Sequence, residues 1–269
     1  RGTMDEEGNA LEGPELDALR EFASEYLVYN TSKIPDEEQA QERYKKMIIG
    51  RAHPKDLVRI IMLQPEIVLE HTGSNTGFAA TYIQRPIMNI FFMRDQMIST
   101  ARGIVIGRMN SPQREAESHV AEFCLDKIGM PPIGHIDAEG AFLEGGDFLP
   151  FGKNAFIGRG LRTTQEAIDQ LMDNDWIGCD TLIVVKDRWL EQEQMHLDTY
   201  FNVIDHDLVT LSENRYKATA DSSQYLTADI YVREENSYRK VGENEDFVNY
   251  IENRLHVKVI PVSRPDELT

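Results

Sequence analysis

Leu143-Glu144-Gly145-Gly146-Asp147-Phe148-Leu149 is the middle copy of a segment that occurs three times, the others being Phe91-Phe92-Met93-Arg94-Asp95-Gln96 and Met195-His196-Leu197-Asp198-Thr199-Tyr200-Phe201. The aspartates recur about every fifty residues, a period that marks tandem structural units. The flanks repeat as well. Gly107-Arg108 with Gln113 to Ala116 returns as Gly158-Arg159 with Gln165 to Ala167. One carboxylate per repeat predicts several acids converging on one centre, suited to a cationic ligand. Around each copy the pattern predicts a strand-strand-helix-strand unit, used three times from Ile87 onward.

In the first unit the expected strands are Ile90 to Arg94, Ile104 to Met109 and Ile133 to Asp137, with a helix from Gln113 to Ile128. The second has strands at Phe142 to Phe151 and Ala155 to Arg159, a helix at Thr164 to Met172, and the apolar strand Leu182 to Val185. The third has strands at Asp198 to Asp205 and Leu208 to Leu211, further strands at Ile230 to Arg233 and Tyr238 to Val241, a helix over Glu245 to Arg254, and a strand over Val257 to Val262. Residues 1–85 read instead as a helical subdomain. Pro14, Pro35 and Pro54 stand at first-turn positions, Leu16, Leu19, Phe22 and Tyr26 share one face, and Pro65 must end or kink the third helix. The division expected is therefore 1–85 helical and 86–269 α/β repeats, with no recognisable closing element at Arg1–Met4 or Asp266–Thr269.

Composition sets outer limits. With 269 residues and 41% hydrophobic content the chain can bury a sizeable core, and a net charge of −18 without any Lys/Arg cluster argues against nucleic acid. Acidity of this kind is chiefly a solubility property. There is no apolar run long enough to span a membrane and no signal-peptide pattern, so no membrane role is expected. Two cysteines, Cys124 and Cys179, without metal-ligand spacing suggest a reduced, cytoplasmic protein with no metal and no cofactor.

Each candidate motif has an ordinary structural explanation beside its chemical one. Glu144 and Asp147 flank a glycine pair that can adopt backbone conformations closed to other residues, letting both acids face one pocket, or else forming a simple turn. His196 and Asp198, two apart on a strand, would share a face and make an acid/base beside a charge anchor. Asp95 and Met93 would likewise share a face opposite Arg94, unless Arg94 and Asp95 form a structural ion pair. Arg114 and Arg162 stand near the starts of equivalent helices, where an arginine can clamp a carboxylate or simply face solvent. Two acids for a cation, two arginines for an anion and a histidine for proton transfer describe a site for a cationic amino acid.

These motifs, together with Gly158-Arg159-Gly160-Leu161-Arg162-Thr163-Thr164, resemble arginine deiminases of the guanidine-modifying superfamily, over residues of about 87 to 211. The resemblance implies an α/β propeller of five ββαβ units about a pseudo-fivefold axis, of which about three are present, with the helical segment as an insertion. It implies hydrolysis of L-arginine to L-citrulline and ammonia without a cofactor. Asp95 and Asp198 would hold the guanidinium, His196 would be the general acid/base oriented by Glu144, and Asp147 would belong to the polar shell. Arg114 and Arg162 would hold the α-carboxylate, and Asn89 and Phe92 would shape the slot. Gln96 departs from the proline of many relatives. The family's nucleophilic cysteine is expected past Thr269, and Cys124 and Cys179 read as inert packing residues. The sequence therefore looks like the middle of a longer enzyme, inactive alone and prone to self-association through unpaired strand edges. An amidinotransferase, an arginine dihydrolase, or a non-catalytic arginine binder or scaffold are the alternatives.

Overall fold

A computed structural model describes residues 11–73 and 77–263; the terminal segments Arg1–Met4 and Asp266–Thr269 lie outside the described residues. The chain divides into two compact units, one up to Met88 and one from Asn89.

In the first unit α1 (Gly13–Tyr26), β1 (Val28–Asn30), α2 (Glu38–Arg51) and α3 (Pro54–Leu63) precede β2 (Pro65–His71) and β3 (Phe78–Gln84). Pro14, Pro35 and Pro54 occupy first-turn positions, where a missing N–H breaks no helical hydrogen bond. The expectation that this region is helical throughout is corrected at its end. Gln64 closes α3 in the left-handed conformation, φ 46°, and Pro65 cannot continue it. The β-branched and aromatic residues that follow, Ile67-Val68 and Thr81-Tyr82-Ile83, form an antiparallel pair, and β1 adds alongside β2 in parallel.

The second unit contains three copies of one topology. β4 (Met97–Ser99), β5 (Ile104–Ile106), α4 (Glu115–Lys127) and β6 (Gly134–His135) form the first copy. β7 (Phe148–Phe151), β8 (Asn154–Arg159), α5 (Gln165–Asp173) and β9 (Thr181–Lys186) form the second. In the third, β10 (Phe201–Asp205), β11 (Leu208–Ser212) and the short α6 (Glu213–Tyr216) lead, after an excursion, to a helical turn at Phe247–Asn249 and β14 (Lys258–Val262). Each copy pairs its first two strands antiparallel, and its last strand runs parallel to the middle one.

The excursion is a long hairpin, β12 (Thr227–Glu234) and β13 (Ser237–Asp246), which pairs through β12 with β9 and so widens the second copy's sheet to five strands. Both strands were expected, but in the third unit and not on the second copy's sheet. The helix expected over Glu245 to Arg254 begins only after Asp246, where β13 ends, and is α-helical over Phe247–Asn249 and π-helical over Tyr250–Arg254. β9 is now central, and Leu182, Ile183, Val184 and Val185 are all fully buried. Their alternation divides two cores, Leu182 and Val184 facing Ile157 and Leu171, while Ile183 and Val185 face Phe156, Phe201 and Phe247. Burial of each such side chain is worth about 1.5–3 kcal/mol.

A further correction concerns the three acids. None lies on a strand. Ile90 to Arg94 is a chain of turns, Asp147 sits in the 3-10 turn Gly145–Asp147 and Asp198 in the 3-10 turn Leu197–Thr199, each just ahead of its unit's first strand. The reason is where the backbone donors go. Gly145 N–H reaches the Asp95 carbonyl (2.9 Å), Gly107 N–H the Gln96 carbonyl (2.9 Å) and Leu197 N–H the Asp147 carboxylate (2.8 Å). The amides of Gly145 and Leu197 thus join consecutive repeats, and every such group needs a partner.

Candidate active site

The glycine pair of the Glu-Gly-Gly-Asp turn is needed for space, and neither glycine has a positive φ. A Cβ on Gly145 would lie 2.0 Å from the Arg94 carbonyl oxygen; one on Gly146 would lie 2.7 Å from His196 Nδ1 and 3.0 Å from Asp198 Oδ1. This corrects the expectation of an unusual backbone conformation. The bare α-carbon of Gly146 is the surface on which His196 and Asp198 converge, although no strand gives them a common face.

His196 is buried, and its Nε2 lies 2.7 Å from Glu144 Oε2. Glu144 is wholly enclosed; its other oxygen accepts the Asn110 N–H at 3.2 Å and lies 3.6 Å from Arg162 Nη1. Burial alone would raise the Glu144 pKa, but the hydrogen bond and charge of His196, with Arg162 and the Asn110 amide, bring it below the ordinary value. Burial likewise works to lower the His196 pKa and is outweighed by the Glu144 bond and by Asp147 and Asp95, so it rises. The two form an ion pair whose free nitrogen, Nδ1, stands 3.9 Å from Asp95 Oδ1.

Asp95 and Asp198 are held in the same manner. Arg114 Nη1 donates to Asp95 Oδ2 at 2.9 Å, and Arg94 Nε lies 3.1 Å from Asp198 Oδ2. Asp95 Oδ1 is left on the His196 side, and Asp198 Oδ1 meets the same face of Gly146 as His196 Nδ1. Burial raises the Asp198 pKa, against the lowering effect of Arg94 and His196. Arg94 also reaches the carbonyls of Gly145 (3.4 Å) and Phe148 (3.2 Å), so its ionic partner is Asp198 and not its neighbour Asp95.

Asp147 lies beneath this group. Its Oδ1 accepts Leu197 N–H, fixing the turn between His196 and Asp198, and its Oδ2 accepts from Thr163 Oγ1 at 2.6 Å. Burial pushes its pKa up to about 7. Arg114 Nε and Nη2 donate to the fully buried Glu117, which also accepts Gln96 Nε2 at 2.7 Å and the Asn89 amide at 3.2 Å. Arg162, by contrast, has a buried Nε without a hydrogen-bond partner. Asn89 and Phe92 lie in the exposed turns before β4.

Sequence reading missed Glu117, Thr163 and the Arg94–Asp198 pair. The Arg114-x-x-Glu117 spacing was a usable signal for the first; Thr163 meets Asp147 through the fold of the second repeat, and Arg94–Asp198 is a contact between repeats. Asp95, Glu144 and His196 offer ligand atoms within 4.8 Å of one another, as a metal site would. Arg114 Nη1, 3.9 Å from Glu144 and bonded to Asp95, sets a fixed positive charge among them, which disfavours a metal cation.

A sequence model of the arginine deiminase family matches residues 22–265, almost the whole chain. The chain belongs to the arginine deiminase family. Among curated relatives, an arginine deiminase of Halobacterium salinarum is 23% identical over 286 aligned positions, covering 80% of this chain and 57% of its own. That of Limosilactobacillus fermentum is 30% identical over 159, covering 56% and 38%. The chain thus spans about half the length of the curated arginine deiminases it matches. Among solved structures, an adduct of dimethylarginine dimethylaminohydrolase aligns with 66% of this chain and 57% of its own, at 19% identity and a TM-score of 0.44.

In this arginine deiminase family member Cys124 lies on α4 and Cys179 is buried just before β9. The Cys179 thiol lies against the Thr181 carbonyl (3.2 Å) and the Tyr238 hydroxyl (3.7 Å), and burial pushes its pKa up. No helix among the described residues is long and apolar enough to cross a membrane.

Proposed function

We propose that this chain supplies the guanidinium-binding and proton-transfer part of an arginine deiminase, which hydrolyses L-arginine to L-citrulline and ammonia. The observation that carries the reading is the matched pair of acids. Asp95 and Asp198 are each anchored through Oδ2 by a protein arginine, Asp95 Oδ1 lies 3.9 Å from His196 Nδ1, and Asp198 Oδ1 meets the same face of Gly146 as that nitrogen, an arrangement suited to a planar cation.

In this reading the substrate guanidinium donates to Asp95 Oδ1 and Asp198 Oδ1. A cysteine thiolate attacks its central carbon, and the C–N bond breaks as His196 delivers a proton from Nδ1 to the departing ammonia. Water then adds to the carbon, His196 takes its proton back, and the C–S bond breaks to release citrulline. The upward direction of the His196 pKa, set by the Glu144 bond and by Asp147 and Asp95 against burial, favours the proton-donating form. Neither Cys124 nor Cys179 has the setting of such a nucleophile, so these residues alone would bind arginine without turning it over. Arg162, with its free Nε, suits the α-carboxylate; Arg114, committed to Glu117 and Asp95, would have to share its fork to assist. Asn89 and Phe92 would border the slot. The three ββαβ units would belong to a five-unit propeller, the segment 1–85 being its insertion, in a cytoplasmic enzyme able to form homo-oligomers.

Calorimetry on the purified chain tests this. L-Arginine should bind, and agmatine, which lacks the carboxylate, should bind more weakly. Arg162→Gln should abolish the difference, leaving agmatine unaffected. Equal binding of the two ligands by the unaltered chain would remove Arg162 from the carboxylate role, and no binding of either would remove the reading itself.

A further inference from the structure

Arg215 is the largest side chain in the described residues that is fully enclosed, at 1% exposure, and it takes no part in the chemistry above. It comes from α6. Nη1 and Nη2 donate to the two oxygens of Asp187 at 3.0 and 3.2 Å, Nε donates to Gln194 Oε1 at 2.8 Å, and the guanidinium lies 3.9 Å from the centre of the Tyr200 ring and 5.4 Å from that of Trp189.

These partners share one property. Asp187, Trp189 and Gln194 belong to the connection that leaves β9 and delivers His196, and Tyr200 closes the 3-10 turn Leu197–Thr199 that carries Asp198. The connection has little regular structure of its own, a single 3-10 turn at Gln192–Gln194, and it holds Leu190 in the left-handed region at φ 54°. A non-glycine residue stays there only when its surroundings impose it. Asp187 is itself fixed to the second repeat through its amide, 2.9 Å from the Arg159 carbonyl. A buried ion pair adds little net stability compared with a well-packed apolar pair, so its value here is geometric.

We propose that Arg215 is the positioning residue of the His196–Asp198 turn, a clamp that sets the entry and exit of that turn by gripping Asp187 and Gln194 before it and Tyr200 after it. Only a planar fork can bond both oxygens of Asp187, reach Gln194 and lie flat on a ring at once; a lysine ammonium cannot. The inference rests on the reading of His196 as the proton carrier, and its test does not require turnover or arginine binding.

The experiment is an NMR titration of the His196 imidazole, with histidine isotopically labelled, in the unaltered chain and in Arg215→Lys, Gln194→Ala and Val105→Ala. Arg215→Lys should lower the His196 midpoint by about one unit, as its alignment with Glu144 loosens. Gln194→Ala, a milder change at a partly exposed position, should move it the same way by less. Val105→Ala, a core truncation in the first repeat, should lower the melting temperature and leave the midpoint in place. The proposal is overturned if Arg215→Lys and Gln194→Ala fold and their His196 midpoints match the unaltered chain, or if Val105→Ala shifts the midpoint as much as they do. Should Arg215→Lys fail to fold, Gln194→Ala decides the matter alone. A chain that binds no arginine yet shows these shifts would fail the functional reading and keep the clamp.

Discussion

His196 Nε2 and Glu144 Oε2 stand 2.7 Å apart with Glu144 wholly enclosed, so the proton state of the imidazole is governed by a carboxylate that water does not reach. The linkage has a definite sign. Stabilisation from the raised His196 pKa is complete below its ordinary 6.5 and is lost as pH rises through the folded value. That from the lowered Glu144 pKa is complete above its ordinary 4.5 and is lost as pH falls through the folded value. The pair is therefore at full strength between these two ordinary values. Glu144→Gln should drop the His196 midpoint by at least about one unit, roughly 1.4 kcal/mol. The same NMR titration reads it, and an unmoved midpoint would refute the coupling.

Gly146 has no room for a methyl group. Gly146→Ala must displace His196 or Asp198, and we expect a stability loss of about 1–3 kcal/mol together with a loss of arginine affinity of tenfold or more. Gly50→Ala is the control. Gly50 lies on α2 with no atom within 4 Å of the place its methyl group would take, so alanine there should stabilise by about 0.5–1 kcal/mol. Denaturant melts with calorimetry compare the two; a harmless Gly146→Ala would show that the convergence point tolerates expansion.

Asp147 makes stability fall with rising pH. Its carboxyl has an ordinary pKa of 3.8 and a folded value of about 7, so the folded state binds more protons between these limits. Ionising the buried group opposes folding increasingly across that window and fully above it. Asn keeps the shape, accepting from Leu197 N–H and donating to Thr163 Oγ1. Melting temperature followed from pH 4 to pH 8, limits that span the window, should slope downward less steeply in Asp147→Asn. Parallel slopes would count against the raised pKa.

Leu182 is fully buried at the centre of the five-stranded sheet. Leu182→Ala should cost about 2–5 kcal/mol through lost burial and the cavity left behind. Denaturant unfolding measures it, and a loss below the range would mean that the surrounding core collapses into the space.

Much of this was readable from residue order, and the failures have physical causes. The repeat of Asp95, Asp147 and Asp198 located the three units, and the apolar run at Leu182 to Val185 located a central strand, because side-chain periodicity reflects burial directly. Placing the acids on strands failed because the amides around Gly145 and Leu197 bond to the preceding repeat, which no local pattern encodes. Pro65 marked the end of the third helix, but the strands that follow, Pro65–His71 and Phe78–Gln84, were not legible because each is defined by its pairing with the other. The attachment of β12 to β9 was hidden for the same reason as Arg94–Asp198: both depend on which distant segment arrives alongside.

The β12–β13 hairpin gives the second and third repeats a shared fate. Its residues leave the chain after α6 and return before β14, yet its ladder is built on β9. Removing the hairpin would expose the flank of the most deeply buried strand, and losing β9 would leave the hairpin without a platform. Such threading turns two neighbouring modules into one cooperative folding element, so amides on β9 and β12 should exchange with solvent in a single opening event. A cut that releases the third repeat as a separate piece would carry part of the second repeat's sheet away with it.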